Sequence, residues 1–117
     1  MSGSHPYDAL PEISAAEAHQ RVEQERALLL DIRETFELDQ VRVPGATHIP
    51  LGQLGTRYHE IEPDRQVAVI CRSGNRSSMA VQHLRQVGVD AVNIAGGLIG
   101  WHAAELPLET GQAGVRS

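Results

Sequence analysis

The chain has 117 residues, 41% of them hydrophobic and 3% aromatic, so one domain with a single aliphatic core is expected without a metal or disulfide staple. Its net charge of −5 argues against nucleic acid as a partner, since a phosphate backbone calls for a basic face. All ten basic residues are arginine, and the absence of lysine excludes Schiff-base chemistry and a Walker-type phosphate loop.

Residues 1–10 are small and polar and read as a loose tail, without the basic and apolar regions of a secretory signal. Ser14-Ala15-Ala16-Glu17 fits a capping box, and Ala15, Ala18 and Val22 recur at helical spacing to about Glu25. Ala27 to Ile32 is a continuous apolar run of strand length, the pattern of a parallel strand covered on both faces. Arg33 to Gln40 is charged and suits a turn of helix, and Val43-Pro44-Gly45 punctuates it. Ala46 to Ile49 reads as a short strand. Leu51, Leu54, Tyr58 and Ile61 then predict a helix that Gly52 and Gly55 weaken, and Pro63-Asp64-Arg65 makes a turn.

Val67 to Ile70 is the second strongly apolar strand. Arg76 to Val87 reads as a helix with Met79, Ala80, Leu84 and Val87 facing inward, stopped by Gly88. Ala91 to Ala95 is another buried strand, after which Gly96-Gly97 turns the chain into a short helix carrying Trp101, expected as packing. Pro107 is expected to end the ordered part, so the boundaries read as a tail over 1–10, a domain over 11–108 and a second tail over 109–117. Helices alternating with uniformly apolar strands predict an α/β fold with a mainly parallel sheet and helices on both faces. Ligands of such sheets gather at the carboxyl ends of strands, where Cys71 ends one strand and Asp31 and Arg33 end another. No apolar run approaches membrane-spanning length, so no membrane partner is expected.

Cys71 is the only cysteine and cannot form an internal disulfide, which points to a reducing, cytoplasmic setting. A cysteine of no special context is a small buried hydrophobe. This one stands before the turn-forming stretch Arg72-Ser73-Gly74-Asn75 and just ahead of a helix. Helix-start N–H groups lack internal partners and carry about half a positive charge, enough to bring a thiol from about 8.5 into the range of about 3.5–7.5. Arg76 at that same start opposes the helix dipole, which makes sense if an anion usually lies beside it. Gly74 permits positive φ, so successive N–H groups can converge as a nest, and Ser73 and Ser77 add hydroxyls. The loop Arg72, Ser73, Gly74, Asn75, Arg76 and Ser77 therefore reads as a cup for an anion with a nucleophilic sulfur at its base. Two chemistries use a cysteine within a ring of amides. Phosphoryl transfer needs room for three oxygens and places five residues between cysteine and arginine; here four residues separate Cys71 from Arg76. Sulfur transfer needs room only for the outer sulfur of a persulfide.

The chain resembles the single-domain rhodaneses, thiosulfate-type sulfurtransferases, from about Ile13 to Pro107. Four blocks carry the resemblance in order: Leu30-Asp31-Ile32-Arg33-Glu34, Pro44-Gly45-Ala46-Thr47-His48-Ile49-Pro50, the loop from Val69 to Ser77, and Gly96-Gly97-Leu98-Ile99-Gly100-Trp101. It departs from the family at Val41-Arg42-Val43, where Gly-His-Ile is common. The resemblance implies a three-layer α/β/α rhodanese-like fold around a five-stranded parallel sheet of order 1-5-4-2-3. It implies that Cys71 accepts sulfur from thiosulfate or a similar small anionic donor, as a persulfide, and passes it to cyanide, a small thiol or a protein thiol. No second cysteine can resolve that persulfide, so the acceptor is external, and no cofactor or metal is called for. Asp31 and Arg33 would order the loop from the neighbouring strand end or form a structural ion pair. The rival readings are a rhodanese-like regulatory or sulfur-carrier module and a cysteine-dependent phosphatase.

Overall fold

The computed structural model describes residues 11–62 and 64–110. The expected tail 1–10, Pro63 of the expected turn and residues 111–117 lie outside these. Five strands form a parallel sheet: β1 (Glu12–Ile13), β2 (Ala27–Asp31), β4 (Thr47–His48), β5 (Gln66–Ile70) and β6 (Ala91–Ile94). Their spatial order is β1-β6-β5-β2-β4, which reads 1-5-4-2-3 when the strands of this sheet alone are counted. The centre is β2 against β5, in register from Ala27 opposite Gln66 to Asp31 opposite Ile70. That register sets the ends of the two most apolar strands side by side.

Alternation along these strands separates two cores. Leu30, Val67 and Val69 face one layer, with Leu54 of α3 (Leu54–Arg57) and Ala80, Val81 and Leu84 of α4 (Asn75–Gln86). Leu29, Ala68, Ile70, Val92 and Ile94 face the other, with Ala15 and Ala18 of α1 (Ala15–Glu23) and Trp101 of α5 (Gly97–Ala103). The three-layer α/β/α arrangement follows from strands buried on both sides. Trp101 packs as expected, 1% exposed, with Nε1 donating to the Pro107 carbonyl at 2.8 Å.

Several local expectations are corrected. Ser14 caps α1 by accepting from the Glu17 N–H at 3.0 Å, but Glu17 turns forward to Arg21 at 2.7 Å instead of back to the cap. The helix expected from Leu51 breaks into a 3-10 turn (Leu51–Gln53), α3 and a second 3-10 turn (Tyr58–Glu60), as two glycines within four residues would favour. In α4 the buried stripe is Ser77, Ala80, Val81 and Leu84. Met79, 63% exposed, stands off that i, i+3, i+4, i+7 row, and Val87, 39% exposed, lies at the C-cap where the helix ends. A two-stranded antiparallel ladder, β3 (Val41–Arg42) with β7 (Glu109–Thr110), was not foreseen; it keeps the chain paired beyond Pro107, with Arg42 on Glu109 at 3.0 Å. The remaining element is the short helix α2 (Thr35–Leu38).

Candidate active site

Cys71 follows β5 directly, and its side chain falls on the α3/α4 face of the sheet. Gly74 then takes φ +102° and serves as the N-cap of α4, a conformation that glycine adopts without steric cost. The turn brings the Gly74 N–H to 3.0 Å from Cys71 Sγ. The thiol donates to Ser77 Oγ at 3.4 Å. Burial pushes the Cys71 thiol up, but the Ser77 hydroxyl and the N–H groups of Ser77, Gly74 and Ser73 outweigh it and hold the thiol below its ordinary value.

The loop is braced from outside by α5. Leu98 N–H donates to the Cys71 carbonyl at 2.7 Å and Ile99 N–H to the Arg72 carbonyl at 3.1 Å. A trans peptide points its C=O and N–H to opposite sides, so drawing the Arg72 carbonyl toward α5 turns the Ser73 N–H the other way, toward the sulfur. This explains Gly97 at the start of α5. A Cβ at Gly97 would come within 2.4 Å of the Cys71 carbonyl oxygen and 2.8 Å of Arg72 backbone atoms. Only glycine lets the helix approach this closely.

The predicted loop residues divide by exposure. Cys71, Gly74 and Ser77 are buried, Arg72, Ser73 and Asn75 are exposed, and Arg76 is intermediate. The sulfur lies deeper than a cup floor open to water, at 1% exposure. Arg76 does have an anion beside it, but an internal one. Both Glu37 oxygens of α2 accept from its guanidinium, each at 3.0 Å. That bond draws the Glu37 carboxyl below its ordinary value and outweighs the effect of burial. Arg72 makes no ion pair among the described residues. It lines a pocket of about 420 Å³ with Arg33, Leu98, Ile99, His102 and Leu108.

Asp31 and Arg33 form a buried pair, 0% and 2% exposed. Arg33 Nε donates to Asp31 Oδ1 at 3.0 Å and its NH2 to Oδ2 at 2.9 Å, and the same NH2 reaches the Val41 carbonyl at 2.9 Å. Neither side chain bonds a loop residue among the described residues. The pair therefore fastens the β2 end to β3, and Arg33 lines the same pocket as Arg72.

Two polar groups at the site were not read from the sequence. Glu37 holds Arg76. Asn93, in the middle of β6, accepts from Ser77 Oγ and donates through Nδ2 to Glu12 Oε2 at 3.0 Å. A polar residue in an otherwise apolar strand was the available signal for Asn93; no sequence signal pairs Glu37 with Arg76.

The family model for the Rhodanese-like domain matches residues 14–104. A sulfurtransferase of Allochromatium vinosum is 39% identical over 99 residues, covering 83% of this chain and 92% of that one. The chain spans about half the length of a Bacillus subtilis relative named as a candidate sulfur carrier, YrkF, at 36% identity over 95 residues, 80% of this chain and 51% of the relative. Among solved structures, a thiosulfate sulfurtransferase from Pseudomonas aeruginosa superposes with a TM-score of 0.79 and 30% identity, over 88% of this chain and 21% of that one. Relatives of this kind support a sulfurtransferase activity in general. With the family model covering most of its length, the chain belongs to the Rhodanese-like domain family.

Proposed function

We propose that the protein takes a sulfane sulfur from thiosulfate, or a similar small anionic donor, onto Cys71 and passes it to an external thiophile. The observation that carries this reading is a single acidified sulfur seated on the N–H groups of its own loop, with Gly74 N–H at 3.0 Å. The Cys71 thiolate attacks the outer sulfur of thiosulfate. A new S–S bond forms, the old one breaks, and sulfite leaves with the bonding pair. Cys71 then carries a persulfide whose terminal sulfur is anionic, and the loop amides stabilise that charge as they do the thiolate. Cyanide, a small thiol or a protein thiol attacks the terminal sulfur, takes it, and restores the Cys71 thiolate. This is double displacement through a covalent intermediate.

Arg72 and Arg76 divide the electrostatic work. Arg72 is exposed beside the pocket and draws the anionic donor in. Arg76, neutralised by Glu37, acts chiefly by holding α2 against the loop. The setting is a reducing, cytoplasmic one, as the single thiol implies. Asp31 and Arg33 support the site by fixing the β2 end beside it.

The test is turnover with thiosulfate and cyanide, followed as thiocyanate, beside an assay with an aryl phosphate. Thiocyanate formation that vanishes in Cys71→Ser supports the reading; turnover of the phosphate alone overturns it. A second reading, sulfur carriage fed by a partner, is favoured by the carrier relative and by the absence of a resolving cysteine. It is distinguished by persulfide formation with slow thiosulfate turnover.

A further inference from the structure

Asn93 is 4% exposed and its amide spans two partners of different kinds. Glu12, its register neighbour on β1, accepts from Nδ2 at 3.0 Å. Ser77, 0% exposed, lies against Oδ1. An ionised carboxylate only accepts hydrogen bonds, so Glu12 fixes which end of the amide faces it, and the carbonyl end must face Ser77. The Ser77 hydroxyl has one proton. Two pure acceptors compete for it, Asn93 Oδ1 and the Gly74 carbonyl at 3.1 Å. Toward Cys71, at 3.4 Å, the oxygen is then left with a lone pair that suits a thiol donor and not a thiolate. To stabilise the thiolate, the hydroxyl has to turn away from both acceptors.

We propose that Glu12 and Asn93 are positioning residues for Cys71: they hold the Ser77 proton away from the sulfur and so govern, from the edge of the sheet, how the sulfur is hydrogen-bonded as it ionises and accepts its cargo. This rests on the reading of Cys71 as the reacting sulfur. Arg76, bound to Glu37, acts on the sulfur through its charge and bonds neither Ser77 nor Asn93.

The experiment is the pH dependence of Cys71 alkylation by iodoacetamide, followed by intact mass, in four proteins: native, Glu12→Gln, Ser77→Ala and the double variant. Glu12 is exposed, so its replacement leaves the core in place. A glutamine satisfies either orientation of the Asn93 amide, which can then present its NH2 to Ser77 and leave the Gly74 carbonyl as the one remaining competitor with the sulfur for the hydroxyl proton. The expected result is a midpoint lowered by about half a pH unit in Glu12→Gln, about threefold more thiolate below the midpoint, and no change from the same substitution in the Ser77→Ala background. An unmoved midpoint in Glu12→Gln overturns the proposal. So does an equal shift in both backgrounds, the mark of a bare charge effect, which about 1 M salt would also screen. The titration uses no sulfur donor, so its outcome is separate from whether Cys71 forms a persulfide.

Discussion

Gly97→Ala tests whether α5 aims the loop amides at the sulfur. The added Cβ would stand 2.4 Å from the Cys71 carbonyl oxygen and 2.8 Å from the Arg72 carbonyl carbon and oxygen, all of them backbone atoms. The helix end or the loop must move. Gly97 also sits at φ +55°, where an alanine costs about 1–2 kcal/mol. Retreat of α5 would break the bonds from Leu98 N–H and Ile99 N–H to the loop carbonyls, each contributing about 1 kcal/mol net. Gly45→Ala is the matched control, with φ +78° and nothing within 4 Å of its Cβ, so it carries the backbone cost alone. Gly97→Ala should therefore be less stable than Gly45→Ala by about 2 kcal/mol, or about 10 °C in Tm by circular dichroism for a domain of this size. The same variant should raise the midpoint of Cys71 alkylation, since the Ser73 N–H loses its orientation, whereas Gly45→Ala leaves it in place. Equal melting temperatures together with equal alkylation midpoints would refute the bracing role of α5.

Arg33→Leu strands the fully buried Asp31 carboxylate and should cost about 3–5 kcal/mol in urea unfolding, while the double variant Asp31→Leu/Arg33→Leu costs much less. Arg72→Gln should raise KM for an anionic donor and flatten its dependence on ionic strength, with kcat little changed, because this guanidinium acts on encounter. Glu37 is bound by Arg76, so its carboxyl titrates below its ordinary value in the folded protein. A depressed carboxyl contributes stability that is fully present above the unfolded value and is lost as pH falls through the folded one. Both partners of this pair are partly exposed, so the loss is small, and Glu37→Gln should abolish that part of the acid dependence of Tm.

The site was legible in the sequence where chemistry and chain order coincide. Cys71, its four following residues, Arg76 and Ser77 are contiguous, and the positive φ of Gly74 follows from its place between strand and helix. The strands were legible because continuous apolar runs have one use in an α/β domain, as β2 and β5 illustrate. What remained hidden depends on residues far apart in sequence. Glu37 meets Arg76 across 39 positions and Asn93 meets Glu12 across 81, and no local pattern encodes either. The β3/β7 ladder joins segments of two residues, too short to show a period. Met79 was misplaced because residue type suggested the core where the helical row through Ser77, Ala80, Val81 and Leu84 excluded it.

Intact mass after incubation with thiosulfate, desalting and then addition of cyanide addresses the central claim most directly. A gain of one sulfur atom on the native chain, absent in Cys71→Ser and removed by cyanide with release of thiocyanate, is the predicted result. A native chain that stays at its original mass while Cys71 alkylates freely at the same pH would contradict it.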